Sequence, residues 1–269
     1  MFGSPVATIY EVAGAIVSAA LYLIVGFAAA ARAPRDVRAG VFLVSGIASV
    51  PPYLITVLLW ARGPGAAFTL PVMTLVGLSL MVGSLALFHF TQVFPWRRPW
   101  IRAHGRWLLA GYLFVPIPIA LPIVAFGPFI AEMASVSSTG SGGIGAVSVG
   151  ISESLVLLLI VLPVLFVLGL VLPFAALFSL YKSWLAAKAA GVEAARVTTF
   201  WILISQMAGG VLTILIIPLL HLVAPIGPWV TIAATLLFAF GLLMPLAFAA
   251  GVWKYRVLDL DLESPPAKL

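Results

Sequence analysis

The stretch "WVTIAATLLFAFGLLMPLAFAAGVW", Trp229–Trp253, contains no charged residue. A helix rises ~1.5 Å per residue, so a helix of this length spans the ~30 Å hydrocarbon core of a bilayer. Lys254 and Arg256 follow the stretch directly, and basic residues beside an apolar run are typical of a membrane boundary. The stretch therefore predicts a membrane-crossing helix.

The whole chain has the composition of a membrane protein. Of its 269 residues, 63% are hydrophobic and 8% are charged, and its mean hydropathy is +1.22. Soluble domains are ~45–50% apolar and ~25% charged, so most of this surface needs lipid as its solvent. The six further apolar runs are Pro5–Ala31, Ala39–Ala61, Ala67–Val93, Trp107–Phe126, Ser154–Tyr181 and Thr198–Ala224. We predict an all-α, seven-transmembrane-helix bundle over residues 1–256 and a short cytoplasmic tail over residues 257–269.

The lysines and arginines predict the orientation of this bundle. All but one of the 14 basic residues fall in the connections after the first, third and fifth runs or in the tail, whereas Arg62 falls on the opposite side. The positive-inside rule then places the N-terminus outside and the C-terminus inside the bacterial cytoplasmic membrane. The first run has no basic residue before it, which favours a retained span over a signal peptide. Topology and anionic lipid headgroups account for the net charge of +6, so no nucleic-acid partner is expected.

Two of the basic connections have further features. Trp96, Trp100 and Trp107 accompany the arginines after the third run, and they are predicted interfacial anchors because indole rings suit the headgroup layer. The connection Tyr181–Phe200 is rich in helix-forming residues, so helices five and six are expected to extend into the cytoplasm and to turn at Gly191.

Catalytic and cofactor chemistry has few candidates. The chain has no cysteine, which excludes disulfides and thiolate metal sites. No catalytic constellation or metal motif is present, and the last run lacks the lysine of a retinal protein, so neither enzyme activity nor a metal site is expected. His89 and His221 lie near opposite ends of the bilayer and cannot share one haem. Ligation of a pigment or haem by a single histidine, His89 or His221, stays open.

A ligand site is predicted from depth in the membrane. Tyr10, Glu11 and His221 lie near the outer surface, where they are candidates for the rim of an outward cavity. Gln206 is a polar residue inside the sixth run. An interhelical hydrogen bond is favoured for Gln206 over contact with a ligand.

Two longer motifs resemble a bacterial signalling family. The third run ends "LALFHFTQVFPWRRPW", Leu85–Trp100, and the seventh ends "LLMPLAFAAGVWKYRVLDLDL", Leu242–Leu262. Phe94–Pro95 and Tyr255–Asp261 within them resemble the seven-transmembrane N-terminal sensor region of histidine kinases and related signalling proteins. The resemblance implies a bundle that passes a signal to a cytoplasmic output domain. The residues after Asp261, "LESPPAKL", contain no kinase histidine box, so we expect either that the output partner is a separate polypeptide or that the bundle has been recruited to another task.

The sequence thus predicts a non-enzymatic membrane sensor that acts through a cytoplasmic or membrane protein partner. The basic connections and the tail are the predicted relay surface, namely Arg97, Arg98, Arg102, Arg106, Lys182, Lys188, Arg196, Tyr255, Arg256, Asp259 and Asp261. An accessory or structural subunit of a respiratory or photosynthetic complex is the alternative. A small-solute transporter is weaker, because the first and last three runs show no internal repeat. Membrane lipids are expected partners, and a homo-oligomer is compatible with the sequence.

Overall fold

The computed structural model describes residues 5–62, 70–114, 171–211 and 242–260, and the regular elements within these ranges are helices. The helices are α1 Pro5–Arg32, α2 Val37–Arg62, α3 Leu70–Val93, α4 Pro99–Phe114, α5 Leu172–Ala189, α6 Glu193–Val211 and α7 Leu242–Trp253, followed by a 3₁₀ turn at Val257–Asp259. The predicted all-α class is confirmed for this part of the chain. Neighbours along the chain pack together in the pairs α1–α2, α2–α3 and α5–α6, and α3 also packs against α5.

Two helices in the described ranges are long and apolar enough to cross a membrane. They are Val12–Arg32, with a mean hydropathy of 2.2, and Val37–Leu54, with 1.3. Only 39% of each is buried inside the protein, and the outward side chains include Ile24 and Phe27. The number of crossings and their orientation stay predictions, because parts of five of the seven runs lie outside the described residues.

The turn between α1 and α2 is built by a proline and a helix cap. After Pro34, the Asp36 backbone N–H donates to the carbonyl of Ala33 at 3.0 Å, which reverses the chain. The Asp36 carboxylate Oδ1 then accepts the backbone N–H of Arg38 at 2.8 Å. An aspartate at this position satisfies a helix N–H that has no partner within the helix, and its charge suits the positive end of the helix dipole. Helix α2 therefore begins at Val37.

The turn between α5 and α6 confirms the predicted role of Gly191. Its φ is +69°, which an L-residue with a Cβ rarely adopts. The Gly191 N–H donates to the Lys188 carbonyl at 3.3 Å, and the Val192 N–H donates to the Ala187 carbonyl at 3.1 Å. This pair of bonds is the Schellman motif that ends many helices. Helix α5 consequently stops at Ala189, and α6 begins at Glu193.

One tryptophan differs from its predicted role. Trp96 is 8% exposed and packs with Ala187 and Ala195 of the α5–α6 hairpin, so it is a core residue and not an interfacial anchor. Trp100 and Trp107 are 37% and 74% exposed, as an anchor in the headgroup layer requires. The difference arises because the chain turns inward at residues 94–96, which are all buried.

An aromatic cluster joins α2, α3 and α7 in the core. Phe42 stacks on Phe248 with ring centroids 4.0 Å apart, and Phe90 stacks on Phe94 at 4.9 Å. The two stacks meet edge to face, with Phe90 and Phe248 at 5.5 Å. All four side chains are fully buried. Such pairs add ~0.5–1.5 kcal/mol each beyond their burial, so the cluster fixes how α7 sits against α2 and α3.

Helix α7 also lies very close to α6. A Cβ added at Gly251 would lie 2.5 Å from Thr198 Cγ2 and 2.9 Å from Thr198 Oγ1, which real side chains do not tolerate. Glycine is therefore required here by the close approach of the two helices. The small residue permits a backbone spacing that packs the end of α7 directly against α6.

Candidate functional site

The most unusual side chain in the described bundle is Arg38, a cation that is 1% exposed. It lies in the first turn of α2, two residues after Asp36. Its Nε lies 3.1 Å from both carboxylate oxygens of Asp36, and its Nη2 donates to Asp36 Oδ2 at 2.7 Å. The Asp36 side chain is itself 9% exposed. A buried guanidinium is tolerated only when it is paired and its N–H groups are hydrogen-bonded, and this pairing supplies the first half of that requirement.

Backbone carbonyls from two distant segments accept the remaining hydrogen bonds of the Arg38 guanidinium. Arg38 Nη1 donates to the carbonyl oxygens of Pro95 at 2.9 Å and Val257 at 3.0 Å. Arg38 Nη2 donates to the carbonyl oxygens of Leu258 at 2.8 Å and Leu260 at 3.1 Å. A guanidinium has five N–H donors in a rigid fork, and all of its nitrogens are engaged here. We refer to Asp36, Arg38 and these four carbonyls as the Arg38 clamp.

The clamp holds the C-terminal segment, residues 256–260, against the bundle. Arg256 has φ +54°, in the left-handed region, which reverses the chain after α7. Its side chain forms an exposed ion pair with Asp259 at 2.6 Å. Val257 and Leu258 are 0% and 9% exposed and belong to the main core. Packing therefore extends past residue 256, the boundary at which the sequence predicts that the cytoplasmic tail begins.

The clamp also joins the two motifs that resemble the sensor family. Pro95 belongs to the Phe94–Pro95 motif, and the carbonyls of residues 257, 258 and 260 belong to Tyr255–Asp261. Arg38 bridges them although it lies 57 positions from the first and at least 219 from the second. In the sequence, Arg38 is counted only among the basic residues that predict membrane topology. The local signal that could have identified it is an acid and a base two positions apart at the start of an apolar run.

A second arginine ties the α3–α4 connection to α5. Arg98 Nη2 donates to the carbonyl oxygen of Ser179 at 2.7 Å and to Ser183 Oγ at 3.1 Å. Ser179 Oγ donates in turn to the Thr91 carbonyl at 3.1 Å. Partial burial lowers the pKa of the Arg98 guanidinium, which nevertheless stays charged at neutral pH. Arg98 thus makes internal hydrogen bonds, and its predicted place in the relay surface stays a prediction.

A cavity of about 300 Å³ lies between α1, α2, α3, α6 and α7. The polar residues of its described wall are Tyr22, Ser45, Ser49, Tyr53, Ser79, Ser84 and Gln206, and the others are Ala48, Pro52, Gly83, Leu87 and Met244. Each of these polar side chains is uncharged. Pro52 has no N–H to donate to the carbonyl of Ala48, so that wall carbonyl loses its helical donor. The wall thus presents hydroxyl, amide and carbonyl groups on an apolar background, which is how small-molecule sites are built.

The cavity and the clamp are connected by packed side chains. Tyr22, in the cavity wall, stacks on Phe42 at 6.0 Å, and Phe42 stacks on Phe248. Phe248 meets Phe94 edge to face at 6.0 Å. Phe94 immediately precedes Pro95, whose carbonyl is held by the clamp. Each step in this path is a contact between buried rings, so the cavity wall and the Pro95 segment of the clamp are linked by continuous packing.

Of the predicted ligand residues, Gln206 lines the cavity. Its Nε2 donates to Met244 Sδ at 2.7 Å, an interhelical contact of the kind that the sequence favours for this residue. A thioether is a weak acceptor, so an oxygen of a ligand would compete well for the same N–H. Tyr10 and Glu11 belong to α1, but their side chains lie outside the described part of the structure, as does His221 entirely. Their predicted role at an outer rim stays a prediction.

The predicted relay residues have mixed environments. Lys182 and Lys188 are exposed and lie over aromatic rings, with Lys182 Nζ 4.5 Å from the Phe178 centroid. Arg97 and Tyr255 are partly exposed, and Arg106, Arg196, Arg256 and Asp259 are exposed. The Arg102 side chain and all of Asp261 lie outside the described residues. Exposed charges therefore remain on the connections after α3 and α5 and on the C-terminal segment.

The histidines have ordinary surroundings where they are described. His89 Nδ1 lies 3.4 Å from the Tyr112 hydroxyl, and His104 Nδ1 lies 3.2 Å from the carbonyl oxygen of Trp100. Within residues 5–62, 70–114, 171–211 and 242–260, no group of three His, Asp or Glu side chains is placed to hold a metal ion. Ligation of a pigment or haem by His89 or His221 stays a prediction.

Comparison with known proteins adds no relative to these observations. No protein-family model, no curated protein and no solved structure matches this chain. The resemblance to the sensor region of histidine kinases therefore rests on the two motifs, and the geometry of the clamp and the cavity carries the functional interpretation.

Proposed function

We propose that this chain is a seven-helix protein of the bacterial cytoplasmic membrane that acts as a non-enzymatic sensor. In this proposal a small uncharged molecule binds in the cavity and changes how the helices pack. The change reaches the Arg38 clamp, which holds or releases the C-terminal segment. A separate cytoplasmic protein reads the exposed charges of that segment and of the neighbouring basic connections.

Composition and exposed surface support the membrane location. The chain is 63% hydrophobic, and the outer faces of α1 and α2 leave Ile16, Ile24 and Ile47 at least half exposed. Soluble proteins rarely expose contiguous apolar surface of this kind, whereas lipid covers it without cost. The Arg38 clamp and Arg98 lie at the end of the bundle that the positive-inside rule assigns to the cytoplasm.

The cavity supports the choice of an uncharged ligand. Its described polar wall residues are hydroxyl and amide groups, which hydrogen-bond a neutral polar molecule without the desolvation that an ion would require. A volume of about 300 Å³ is the low end of the ~300–1,000 Å³ range of ligand sites. It equals the liquid volume of about ten water molecules, so the ligand is small.

The path from cavity to clamp is the observation that carries the sensor proposal. A ligand shifts a conformational equilibrium only through its different affinity for the two states. The Tyr22 and Met244 side chains line the cavity and also belong to the main hydrophobic core, which contains Phe42 and Phe248. A ligand that displaces them therefore changes the packing of these two rings. Coupling between sites is typically ~1–3 kcal/mol, or about 5–150-fold in an equilibrium.

The test fills the cavity and reads the C-terminal segment. The chain has no cysteine, so Leu258→Cys provides a single thiol at a buried position whose side chain makes no clamp contact. Ser49→Phe places a ring in the cavity as a stand-in for a ligand. We expect Ser49→Phe to accelerate maleimide labelling of Leu258→Cys in nanodiscs by about 5-fold or more.

Two controls make this test specific. Val44→Phe adds a similar ring to the same helix at a 39% exposed position outside the cavity wall, and it should leave labelling unchanged. Asp259→Cys places the thiol at an exposed position and should label rapidly in every background. Equal labelling of Leu258→Cys with Ser49→Phe and with Val44→Phe would show that the cavity is not coupled to the clamp, and the sensor proposal would be wrong.

A further inference from the structure

A groove of about 320 Å³ lies at the end of the α5–α6 hairpin, beside the Gly191 turn. We call it the indole groove. It is lined by Trp184 and Lys188 of α5 and by Arg196, Val197, Phe200 and Trp201 of α6. It shares no residue with the cavity or with the Arg38 clamp.

The two helices contribute the same arrangement of side chains to this groove. On α5, Lys188 follows Trp184 by four residues, and on α6, Phe200 follows Arg196 by four residues. Residues four apart lie on one face of a helix, about one 5.4 Å turn from each other. Because the helices run in opposite directions from the turn, both cations lie at its turn end and both rings lie deeper.

The cations at the turn end are exposed and only weakly compensated. Lys188 Nζ lies 5.7 Å from the Trp184 ring centroid. Arg196 is 47% exposed, and its nearest described acid is Glu193, whose side chain is 75% exposed and lies 3.9 Å away. An exposed ion pair at this distance contributes little. The turn end of the groove is therefore positive and accessible to an anion.

The deeper end of the groove is aromatic. Trp184 and Phe200 have centroids 6.1 Å apart, and Phe200 and Trp201 have centroids 5.7 Å apart. Phe200 and Trp201 are 38% and 49% exposed, so their ring faces are accessible to an apolar ligand. The groove thus changes from cationic to apolar along the helix axis, away from the turn and towards the apolar part of α6.

We propose that the indole groove binds an anionic phospholipid of the cytoplasmic leaflet. The phosphate would lie between Lys188 and Arg196, and the glycerol and first methylenes would lie on Phe200 and Trp201. A soluble phosphate compound would use the two cations but not the exposed rings. An acidic peptide would likewise leave the apolar end of the groove, Phe200 and Trp201, without a contact. This site goes beyond the sensor proposal because it does not depend on a ligand in the cavity, and it assigns two of the predicted relay residues, Lys188 and Arg196, to lipid and not to the protein partner.

The test measures lipid binding to the purified protein by native mass spectrometry. Dioleoyl phosphatidylglycerol is titrated against dioleoyl phosphatidylcholine, which has the same acyl chains and no net charge. The groove variant is Lys188→Gln with Arg196→Gln. The matched control is Lys182→Gln with Lys254→Gln, which removes the same charge from two exposed lysines outside the groove. Because loss of each hydrogen bond between a cation and the phosphate weakens binding by at least about tenfold, the groove variant should bind phosphatidylglycerol at least about 100-fold more weakly.

The outcomes separate lipid from other occupants. The proposal requires that wild type prefers phosphatidylglycerol, that the groove variant loses this preference and that the control variant keeps it. Equal losses in both variants would show that net charge alone attracts the lipid, and the proposal would be overturned. Competition by glycerol phosphate, or by a short polyglutamate peptide, at the same concentration as the lipid would overturn it too, because neither has acyl chains. Labelling of Leu258→Cys reports separately on the sensor proposal and should not change in either variant.

Discussion

Replacing Arg38 with alanine removes the side chain on which the Arg38 clamp depends. The guanidinium is 1% exposed and donates to Asp36 and to four backbone carbonyls, three of which belong to residues 257–260. Alanine leaves the Asp36 carboxylate without its cation and the carbonyls without donors. Removing one partner of a buried ion pair typically costs ~3–5 kcal/mol.

The structure indicates where this cost appears. Detaching residues 257–260 exposes Val257 and Leu258, which costs ~3–6 kcal/mol at ~1.5–3 kcal/mol for each side chain. Freeing four residues returns backbone entropy of ~4–8 kcal/mol at ~1–2 kcal/mol each. These two terms nearly cancel, so the clamp decides whether the C-terminal segment is docked. We therefore expect Arg38→Ala to release the segment locally while the helices stay folded.

Maleimide labelling of Leu258→Cys measures this release directly. A loss of ~3–5 kcal/mol corresponds to an increase of at least about 100-fold in the open fraction, and labelling should accelerate accordingly. Arg38→Lys keeps the charge but replaces a five-donor fork by three donors on one atom, so it should show a smaller acceleration, about tenfold. Helical content measured by circular dichroism should stay close to that of the parent.

Two comparisons decide whether the reasoning holds. Arg35→Ala removes an exposed arginine from the same turn and should leave the labelling rate at the parent value. Asp36→Ala combined with Arg38→Ala should be less damaging than the sum of the two single changes, since the double variant leaves no unpaired buried charge. If Arg38→Ala labels as slowly as the parent while Asp259→Cys labels rapidly, the segment is held by its apolar contacts and the clamp argument is refuted.

Three further predictions concern the packing around the clamp. Gly251→Ala should lower the free energy of unfolding by ~1–3 kcal/mol because its Cβ would meet Thr198 Cγ2 at 2.5 Å, and Thr198→Ser should restore part of the thermal midpoint. A double-mutant cycle with Phe42→Leu and Phe248→Leu should give a coupling of ~0.5–1.5 kcal/mol from the 4.0 Å ring stack, whereas zero coupling would contradict the path from cavity to clamp. Arg98→Ala should cost ~1.5–3 kcal/mol in chemical denaturation, because it breaks charged hydrogen bonds to α5.

The helices could be predicted from the sequence because the information for them is local. The predicted run Pro5–Ala31 became α1 Pro5–Arg32, and Ala39–Ala61 became α2 Val37–Arg62. The apolar residues of each run lie within that run, and the turns between helices contain residues that end a helix, such as Pro34 and Gly191. Composition predicts that these segments avoid water, and a helix is the structure that would satisfy their backbone inside lipid.

The clamp could not be predicted, because an arginine that sets topology and one that is buried look alike in a sequence. Arg32, Arg35 and Arg38 share one connection, and only the fold shows that Arg38 points inward. Its acceptors are backbone carbonyls, which carry no residue-specific signal. Three of them lie more than 200 positions away.

The cavity could not be predicted from the sequence for a related reason. Its wall combines isolated serines and tyrosines from three helices, and any one of them in an apolar run is explained equally well by a hydrogen bond to a neighbouring helix. Gln206 was identified as polar and central, whereas Tyr22 and Tyr53 were not singled out. Only the relative rotation of α1, α2 and α3 determines that these hydroxyls face one space.

In the proposed sensor, Arg38 is suited to a switch because a buried guanidinium is costly in every arrangement that leaves its donors unpaired. An apolar side chain at this position would hold residues 257–260 weakly and in several registers, because apolar contacts are not directional. A guanidinium requires its five donors to be satisfied together, so the segment is either docked in one register or released. The acceptors come from the α3–α4 connection, where the aromatic path from the cavity ends at Phe94, and from the segment that follows α7, the helix that carries Phe248. In the proposed sensor, a small displacement of Phe94 or Phe248 would change several charged hydrogen bonds at once, and the C-terminal segment would respond in a two-state manner.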